Sequence, residues 1–237
     1  MAPKPHPTGR GQFGPDVYAQ WRASSLGDIT EALEHALILR MAGDVAGRRV
    51  LDVGSGDGTL SRLMASQGAR SAAGCDLDPR MVARAAAAAG RPAPVTGYAV
   101  ARAEALPFAD ASFDLITCIT VLTFVPDAAA AVRETARVLA PGGRLILGDL
   151  GKWSVWAARR RVRGWLGARL WQTARFRSAG ELSSLVRSAG LEVRAVEGSI
   201  YYPPSEALAR RMAPLDIRLG ALTTLGAGFL AVCADKP

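Results

Sequence analysis

The sequence predicts a doubly wound α/β fold, in which helices cover both faces of a mostly parallel sheet. Short apolar runs alternate with helical patterns along most of the chain, and its 237 residues suit one such domain. The predicted strands occupy residues 49–53, 71–77, 97–101, 113–120, 144–149, 191–199 and 228–234. Predicted helices lie between the early strands at residues 59–67, 78–89 and 128–139.

Capping patterns set several of the expected helix boundaries. Ser178 and Glu181 have the spacing of a capping box, which begins a helix before the sixth strand. The segment ahead of the first strand contains another helix, which we expect Asp28 or Thr30 to cap. Residues 141–143, Pro-Gly-Gly, are expected to end the helix that precedes the fifth strand.

The chain divides into a lead-in and one domain. Residues 1–15 are rich in Pro and Gly, so we expect them to be flexible. The rest, residues 16–237, is predicted to be a single domain. It begins with an N-terminal lid and helix at residues 16–47 and continues with a cofactor-binding core at 48–150. Two insertions follow, one after strand 5 at residues 151–175 and one after strand 6 at residues 201–224. Insertions on an open sheet commonly cover the carboxyl ends of its strands, so these two are expected to contact substrate.

The net charge of +8 is concentrated in one segment. Residues 152–177 contain eight lysines and arginines, no acidic residue and four tryptophans. Three interpretations remain open: a lid whose tryptophans face a hydrophobic substrate while its arginines stay in solvent, a surface for anionic membrane lipids, or an RNA-binding surface. Because the rest of the chain is balanced in charge, nucleic acid is the least favoured partner.

Cysteine usage and hydropathy predict a cytoplasmic protein, with membrane association as an alternative. Cys75, Cys118 and Cys233 lie in separate strand-like runs and are expected to be buried free thiols. The apolar runs are much shorter than the roughly 20 residues that span a bilayer. His6 and His35 are the only histidines, and no metal-binding spacing is present. We interpret His35 as a helical histidine without a catalytic role.

A glycine-rich turn follows the first predicted strand. Gly54, Gly56 and Gly58 occupy its first, third and fifth positions, whereas the dinucleotide fingerprint requires the first, third and sixth. Asp52 precedes the turn, where a carboxylate would repel a pyrophosphate and attract an ammonium group. Asp76 ends the second strand, at the place where a carboxylate accepts hydrogen bonds from ribose hydroxyls. An amino-acid head group and a ribose together describe S-adenosylmethionine.

Four ordered motifs carry a family resemblance: VLDVGSGDG, GCDLDP, AEALPFADASFDLI and VRETARVLAPGGRLILGD. The chain resembles the class I S-adenosylmethionine-dependent methyltransferases of the small-molecule, ubiquinone-biosynthesis-like group. The close match covers about residues 48–150, and a weaker one covers 176–198. The resemblance implies a Rossmann-like sheet of seven strands, the last of them antiparallel.

The resemblance also implies a cofactor site. The methionine end would lie on the residues of the first motif, namely Asp52, Val53, Gly54, Ser55 and Gly56. The ribose and adenine would lie on Asp76, Leu77, Ala103 and Glu104, and Ile119 would face the methyl group. Arg102 stands where relatives commonly have an Asp that binds the adenine amino group, and a guanidinium cannot accept that hydrogen bond. We expect Glu104 or a backbone carbonyl to replace it, or adenine to bind more weakly.

Five residues are the candidates for contact with the substrate. Tyr18 and Trp21 resemble an aromatic N-terminal lid of the family, and Thr123 would line the path to the methyl group. Tyr201 and Tyr202 begin the second insertion and would wall the pocket.

The sequence therefore predicts methyl transfer from S-adenosylmethionine to a small, lipophilic acceptor by in-line displacement. An RNA methyltransferase that uses residues 152–177 and a non-catalytic cofactor-binding domain are the alternatives. The sequence indicates neither a catalytic residue nor an oligomeric state.

Overall fold

The computed structural model describes residues 15–90 and 95–237, so the predicted flexible segment lies outside the described residues apart from Pro15. The strands are β1 Arg49–Val53, β2 Ser71–Asp76, β3 Val95–Val100, β4 Phe113–Ile119, β5 Leu139–Leu150, β6 Glu192–Ser199 and β7 Phe229–Asp235. The helices are α1 Pro15–Arg22, α2 Ser25–Ala42, α3 Thr59–Ser66, α4 Pro79–Ala88, α5 Ala128–Val138, α6 Val155–Trp165, α7 Arg169–Gln172, α8 Ala179–Ser188 and α9 Glu206–Leu222.

The described strands form one seven-stranded sheet in the order β3-β2-β1-β4-β5-β7-β6. The first five strands pair in parallel, and β7 lies antiparallel between β5 and β6. The predicted doubly wound fold is confirmed, including the antiparallel last strand. The strand order reverses between β1 and β4, and the carboxyl ends of these strands border the crevice where such sheets bind ligands.

Apolar side chains fill both faces of the sheet. Successive residues of a strand point to opposite faces, and in β1 Val50 joins one cluster and Leu51 the other. The Val50 cluster includes Ile38 of α2 and Met64 of α3, whereas the Leu51 cluster includes Val132 of α5. The two clusters hold α2 and α3 on one face and α5 on the other, which fixes the loops between them at the crevice.

The region ahead of β1 differs from the prediction. It forms two helices, α1 and α2, and Ser24 caps α2 by accepting a hydrogen bond from the Gly27 backbone N–H at 3.1 Å. The expectation that Asp28 or Thr30 is the cap was wrong. Asp28 lies in the first helical turn, and the Thr30 hydroxyl is buried inside the helix, where it donates to the backbone oxygen of Leu26.

Two other boundary predictions had opposite outcomes. The capping box of Ser178 and Glu181 is confirmed at the start of α8. Residues 141–143 do not end α5, because that helix stops at Val138 and β5 begins at the next residue. The Pro-Gly-Gly segment instead lies within the first part of β5, where Gly142 adopts a φ of 73°.

Both insertions contain helices. The first holds α6 and α7 and the second holds α9. Cys75, Cys118 and Cys233 are buried free thiols, as predicted. Within residues 15–90 and 95–237, no helix combines the length and apolar character needed to cross a bilayer.

Candidate functional site

The turn after β1 has a backbone shape that requires glycine. Gly54 and Gly58 have φ angles of 73° and 76°, which side chains other than glycine rarely adopt. A Cβ on Gly54 would also collide with the side chain of Val121, and one on Gly58 with the ring of Tyr98. The turn is held down because the Gly54 backbone N–H donates to the backbone oxygen of Cys75 on β2 at 2.7 Å. The loop therefore presents a fixed backbone surface toward the crevice.

Asp76 is bonded to this turn. Its Oδ2 accepts a hydrogen bond from the Gly56 backbone N–H at 2.9 Å, and its Oδ1 accepts one from the Asp78 backbone N–H at 2.9 Å. Burial raises the pKa of the Asp76 carboxyl, although these backbone donors act against the shift. The carboxylate faces the pocket and can accept further hydrogen bonds, as recognition of a diol requires.

Asp52 borders the same pocket in a more enclosed position. Its Oδ2 accepts a hydrogen bond from Ser61 Oγ at 2.8 Å, and its Oδ1 accepts one from Thr117 Oγ1 at 2.9 Å. Burial raises the pKa of the Asp52 carboxyl to about 6. Asp52 thus links β1 to α3 and β4, and the expected contact with an ammonium group stays a prediction.

A cavity of about 520 Å³ extends from this turn to the helices of the N-terminal region and the first insertion. Of the predicted cofactor residues, it brings together Asp52, Gly54, Ser55, Gly56, Asp76 and Ile119. The cavity also reaches residues of α1, α2 and α6 that the cofactor prediction did not include, among them Trp21, Glu34, His35, Trp156, Arg159, Arg160 and Arg163. One space therefore joins the glycine turn to both covering segments.

The other predicted cofactor residues lie outside the lining of this cavity. Val53 is buried in the core, and Leu77 is exposed beside the end of β2. Ala103 and Glu104 lie in the turn that follows β3, where Arg102 donates to Glu104 Oε1 at 3.0 Å. The guanidinium that replaces the family's Asp is therefore an ion-pair partner of the carboxylate expected to compensate for it.

Among the predicted substrate residues whose side chains the structure describes, only Trp21 lines the cavity. Tyr18 lies in α1, and its side chain is outside the described residues. Thr123 is fully buried, and its hydroxyl donates to Asp149 at 2.5 Å. Tyr202 is buried and bonded to Thr30, while the Tyr201 hydroxyl donates to a backbone oxygen at the end of α9. None of these three residues lines the cavity.

The arginines of the first insertion depart from the lid expected from the sequence. Arg159, Arg160 and Arg163 of α6 line the cavity. The Arg160 guanidinium lies between two indole rings, 5.2 Å from the ring centre of Trp156 and 5.1 Å from that of Trp171. Trp156 and Trp171 face the cavity as expected, and Arg159 and Arg163 remain exposed, so the expectation that the arginines stay in solvent is wrong for the half-buried Arg160.

Glu34 and His35 of α2 also face the cavity, whereas the sequence analysis did not include Glu34 and gave His35 no role in the site. Burial raises the pKa of the Glu34 carboxyl to about 8 and lowers the pKa of His35. A signal was available for Glu34, because it lies four residues after Thr30 and four before Ile38, and both are buried. Residues at that spacing share one face of a helix.

Comparison with known proteins identifies the family of this chain. A family model described as a methyltransferase domain matches residues 51–147. A ubiquinone biosynthesis O-methyltransferase of Xanthomonas oryzae pv. oryzae is 37% identical over 166 residues, which cover 68% of this chain and 69% of that protein. The chain belongs to the class I S-adenosylmethionine-dependent methyltransferases. As a member of that family, it is an enzyme that uses S-adenosylmethionine.

Two further relatives of this methyltransferase cover most of the chain. An uncharacterized protein of Mycobacterium bovis is 33% identical over 221 residues, which cover 92% of this chain and 70% of that protein. A solved methyltransferase of Thermotoga maritima, a possible histamine N-methyltransferase, has a TM-score of 0.73 at 22% identity, covering 94% of this chain and 96% of that one. At that identity the likeness supports the fold alone.

The turn after β1 fits the family's cofactor. Ser55 Oγ is a buried side-chain oxygen without a hydrogen-bond partner among the described residues, and it belongs to a residue that lines the cavity. A Cβ added to Gly56 would meet no atom within 4 Å, so space remains beside the turn. An unpaired buried hydroxyl is costly unless a ligand or water bonds to it. The amino-acid group of S-adenosylmethionine offers both donors and acceptors for such a contact.

Proposed function

We propose that this methyltransferase acts on a small acceptor held between the glycine turn, α2 and α6. The observation that carries the proposal is the single cavity that joins Asp76 and the turn to residues of both helices. Its volume of about 520 Å³ is within the range of small-molecule sites, which favours a compact acceptor over a folded RNA. The O-methyltransferase activity named for the Xanthomonas relative supports a hydroxyl group as the position that is methylated.

When bound, S-adenosylmethionine supplies an electrophilic methyl group. The protein then aligns the acceptor with that methyl group and excludes water, which Trp21 and Trp156 on the cavity wall favour. His35 is the side chain best suited to take the acceptor's proton, because its lowered pKa keeps it neutral near pH 7. Glu34, with a pKa of about 8, is protonated there and donates a hydrogen bond instead.

Transfer of a labelled methyl group tests this function. The protein is incubated with S-adenosylmethionine carrying a radioactive methyl group, together with separated small-molecule and RNA fractions of a bacterial extract. We expect label in the small-molecule fraction, and much less with the Asp76→Ala variant. Label confined to RNA would support the alternative function, and a lack of transfer to either fraction would contradict the proposal.

The outward surface of the first insertion supports a second proposal, contact with an anionic membrane surface. Trp165 and Leu166 are each 82% exposed, and Trp153 is 62% exposed, within a segment that has no acidic residue between 152 and 177. Exposed indole rings beside arginines suit the headgroup region of a bilayer. Such contact would bring the pocket close to acceptors that reside in lipid.

Liposome sedimentation tests the membrane proposal. We expect the protein to sediment with vesicles containing phosphatidylglycerol and to remain in solution with phosphatidylcholine alone. The double variant Trp165→Ser/Leu166→Ser should lose this binding, whereas Leu215→Ser, at another exposed apolar residue, should keep it. Equal sedimentation of all three proteins would contradict the assignment of this surface.

A further inference from the structure

The arginines of α6 form a positively charged wall on the acceptor side of the cavity. Arg163 lies three residues after Arg160 and four after Arg159, so it is a surface neighbour of both on α6. All three line the cavity, and none forms an ion pair within 4.0 Å of a carboxylate among the described residues. We call these three side chains the arginine wall.

Arg160 is the most enclosed member of the arginine wall. Its guanidinium lies between the rings of Trp156 and Trp171, and both rings are themselves held in place. Trp156 Nε1 donates to the backbone oxygen of Tyr202 at 2.7 Å, and Trp171 stacks on Phe176 with ring centres 6.3 Å apart. Stacking on aromatic faces leaves the N–H groups at the edge of a guanidinium free for a planar or tetrahedral oxyanion.

The charges around the arginine wall are not balanced within the protein. Burial, together with the nearby Arg159 and Arg163, lowers the pKa of Arg160 to about 10, and Glu34 is the carboxyl that opposes the shift. Because burial raises the pKa of Glu34 itself to about 8, that carboxyl is mostly neutral near pH 7. Three close guanidinium groups without an ionised partner favour a ligand that brings negative charge.

The two ends of the cavity also differ in charge. Asp52 and Asp76 line it at the turn and the end of β2, where S-adenosylmethionine brings a net positive charge, whereas Asp57 and Asp78 of the same lining are ion-paired with Arg22 and Arg80. The arginine wall lies on α6, in the insertion that covers the crevice. Opposite charges at the two ends would orient an acceptor with its anionic group toward α6 and its reacting atom toward the turn.

We infer that the acceptor of this methyltransferase carries an oxyanion, a carboxylate or a phosphate, and that Arg159, Arg160 and Arg163 bind it. The inference rests on the proposed function, because it assigns the α6 side of the cavity to the acceptor. The uncharged remainder of the acceptor lies against Trp156 and Trp171. The arginines thus determine which acceptors bind, and the glycine turn keeps its role in cofactor binding.

Binding of small aromatic probes tests the inference without knowledge of the natural acceptor. The protein is saturated with S-adenosylhomocysteine and titrated with benzoate, phenyl phosphate and benzamide, with tryptophan fluorescence as the readout. We expect saturable binding of at least one of the two anions, at least tenfold tighter than that of the neutral benzamide. A preference for benzoate would indicate a carboxylate acceptor, and one for phenyl phosphate a phosphorylated acceptor.

Matched variants locate the effect. Arg159→Gln/Arg163→Gln and, separately, Arg160→Gln should each weaken binding of the preferred anion at least tenfold. Arg169→Gln removes an exposed arginine of the same basic segment that does not line the cavity, and it should leave anion binding unchanged. Circular dichroism of each variant confirms that it is folded.

The inference would be overturned by no saturable binding of either anion, by equal affinity for anions and benzamide, or by retention of anion binding in Arg159→Gln/Arg163→Gln. A loss of S-adenosylhomocysteine affinity in that double variant would also overturn it, since the arginines would then bind the cofactor's carboxylate. If S-adenosylhomocysteine binds normally and the anions do not, the inference fails while the proposed methyl transfer stands. If S-adenosylhomocysteine does not bind either, the proposed function fails first.

Discussion

Replacing Asp76 with Ala removes the carboxylate that joins the end of β2 to the glycine turn. In the structure this group accepts two backbone hydrogen bonds at 2.9 Å, from Gly56 and Asp78, and it faces the cavity where a ribose would lie. Hydrogen bonds to a charged group contribute about 1.5–3 kcal/mol each. Loss of the ribose contact alone therefore corresponds to an affinity roughly 10-fold to 150-fold lower, since about 1.4 kcal/mol is one factor of ten.

Titration calorimetry with S-adenosylhomocysteine measures this change directly. Asp44→Ala is a matched control, because Asp44 is exposed and accepts one backbone hydrogen bond, from Ala46 at 2.9 Å, in a turn that does not line the cavity. We expect the control to bind as the unmodified protein does. Unchanged affinity in Asp76→Ala, with the fold intact by circular dichroism, would refute the assignment of this carboxylate to the cofactor.

Three other predictions concern the frame around the site. Gly54→Ala should lower the free energy of unfolding, measured by urea titration, by about 1–3 kcal/mol, because the added Cβ collides with Val121 and the backbone is strained. Gly180→Ala, whose added Cβ meets nothing within 4 Å, should be neutral or stabilising in the same measurement. Arg177→Ala should lower the free energy of unfolding by about 3–5 kcal/mol, because it leaves the buried Asp149 of β5 without its ion-pair partner. Arg175→Ala, at an exposed position, should change this free energy little. Glu34 has a folded pKa of about 8, above its unfolded value, so its protonated form stabilises the fold at low pH and that contribution is lost as the pH rises toward and through 8. The melting temperature of the unmodified protein should therefore fall relative to that of Glu34→Gln between pH 5 and pH 9. Parallel curves of melting temperature against pH would contradict the raised pKa.

The sheet and the cofactor turn could be predicted because their signals are local. Each strand is a short apolar run, and the turn has a glycine spacing and an Asp that identify a ligand class. The same holds for Asp76, since the end of β2 and the turn after β1 are neighbours in any sheet of this kind. These features depend on a few adjacent residues and on one rule of topology.

The acceptor side of the cavity could not be predicted from the sequence in this way, because it is formed by helices that approach one another only in the folded chain. Glu34 and Arg160 lie 126 positions apart in the sequence, and nothing local says that α2 and α6 face the same cavity. Polar residues in an amphipathic helix are ordinarily assigned to solvent, so the α6 arginines were expected there. The structure shows instead that Arg159, Arg160 and Arg163 all line the cavity, and that Arg160 is half-buried there while the other two remain exposed.

Aromatic residues near strand ends misled the prediction for a related reason. Tyr202 follows β6 and is an aromatic residue of the kind that commonly lines a pocket, yet its ring is buried and its hydroxyl is hydrogen-bonded to Thr30 of α2. Large side chains at such positions can pack between elements as readily as they can face a ligand. Burial, which depends on tertiary contacts, distinguishes the two outcomes.

A crystal structure with S-adenosylhomocysteine tests the central claim most directly. The account predicts one bound molecule in the cavity, with its ribose hydroxyls on Asp76, its amino-acid group beside Ser55 and its sulfur toward the side lined by Glu34 and Arg160. Density for the ligand elsewhere on the protein, or a cavity that stays empty at saturating ligand, would contradict it.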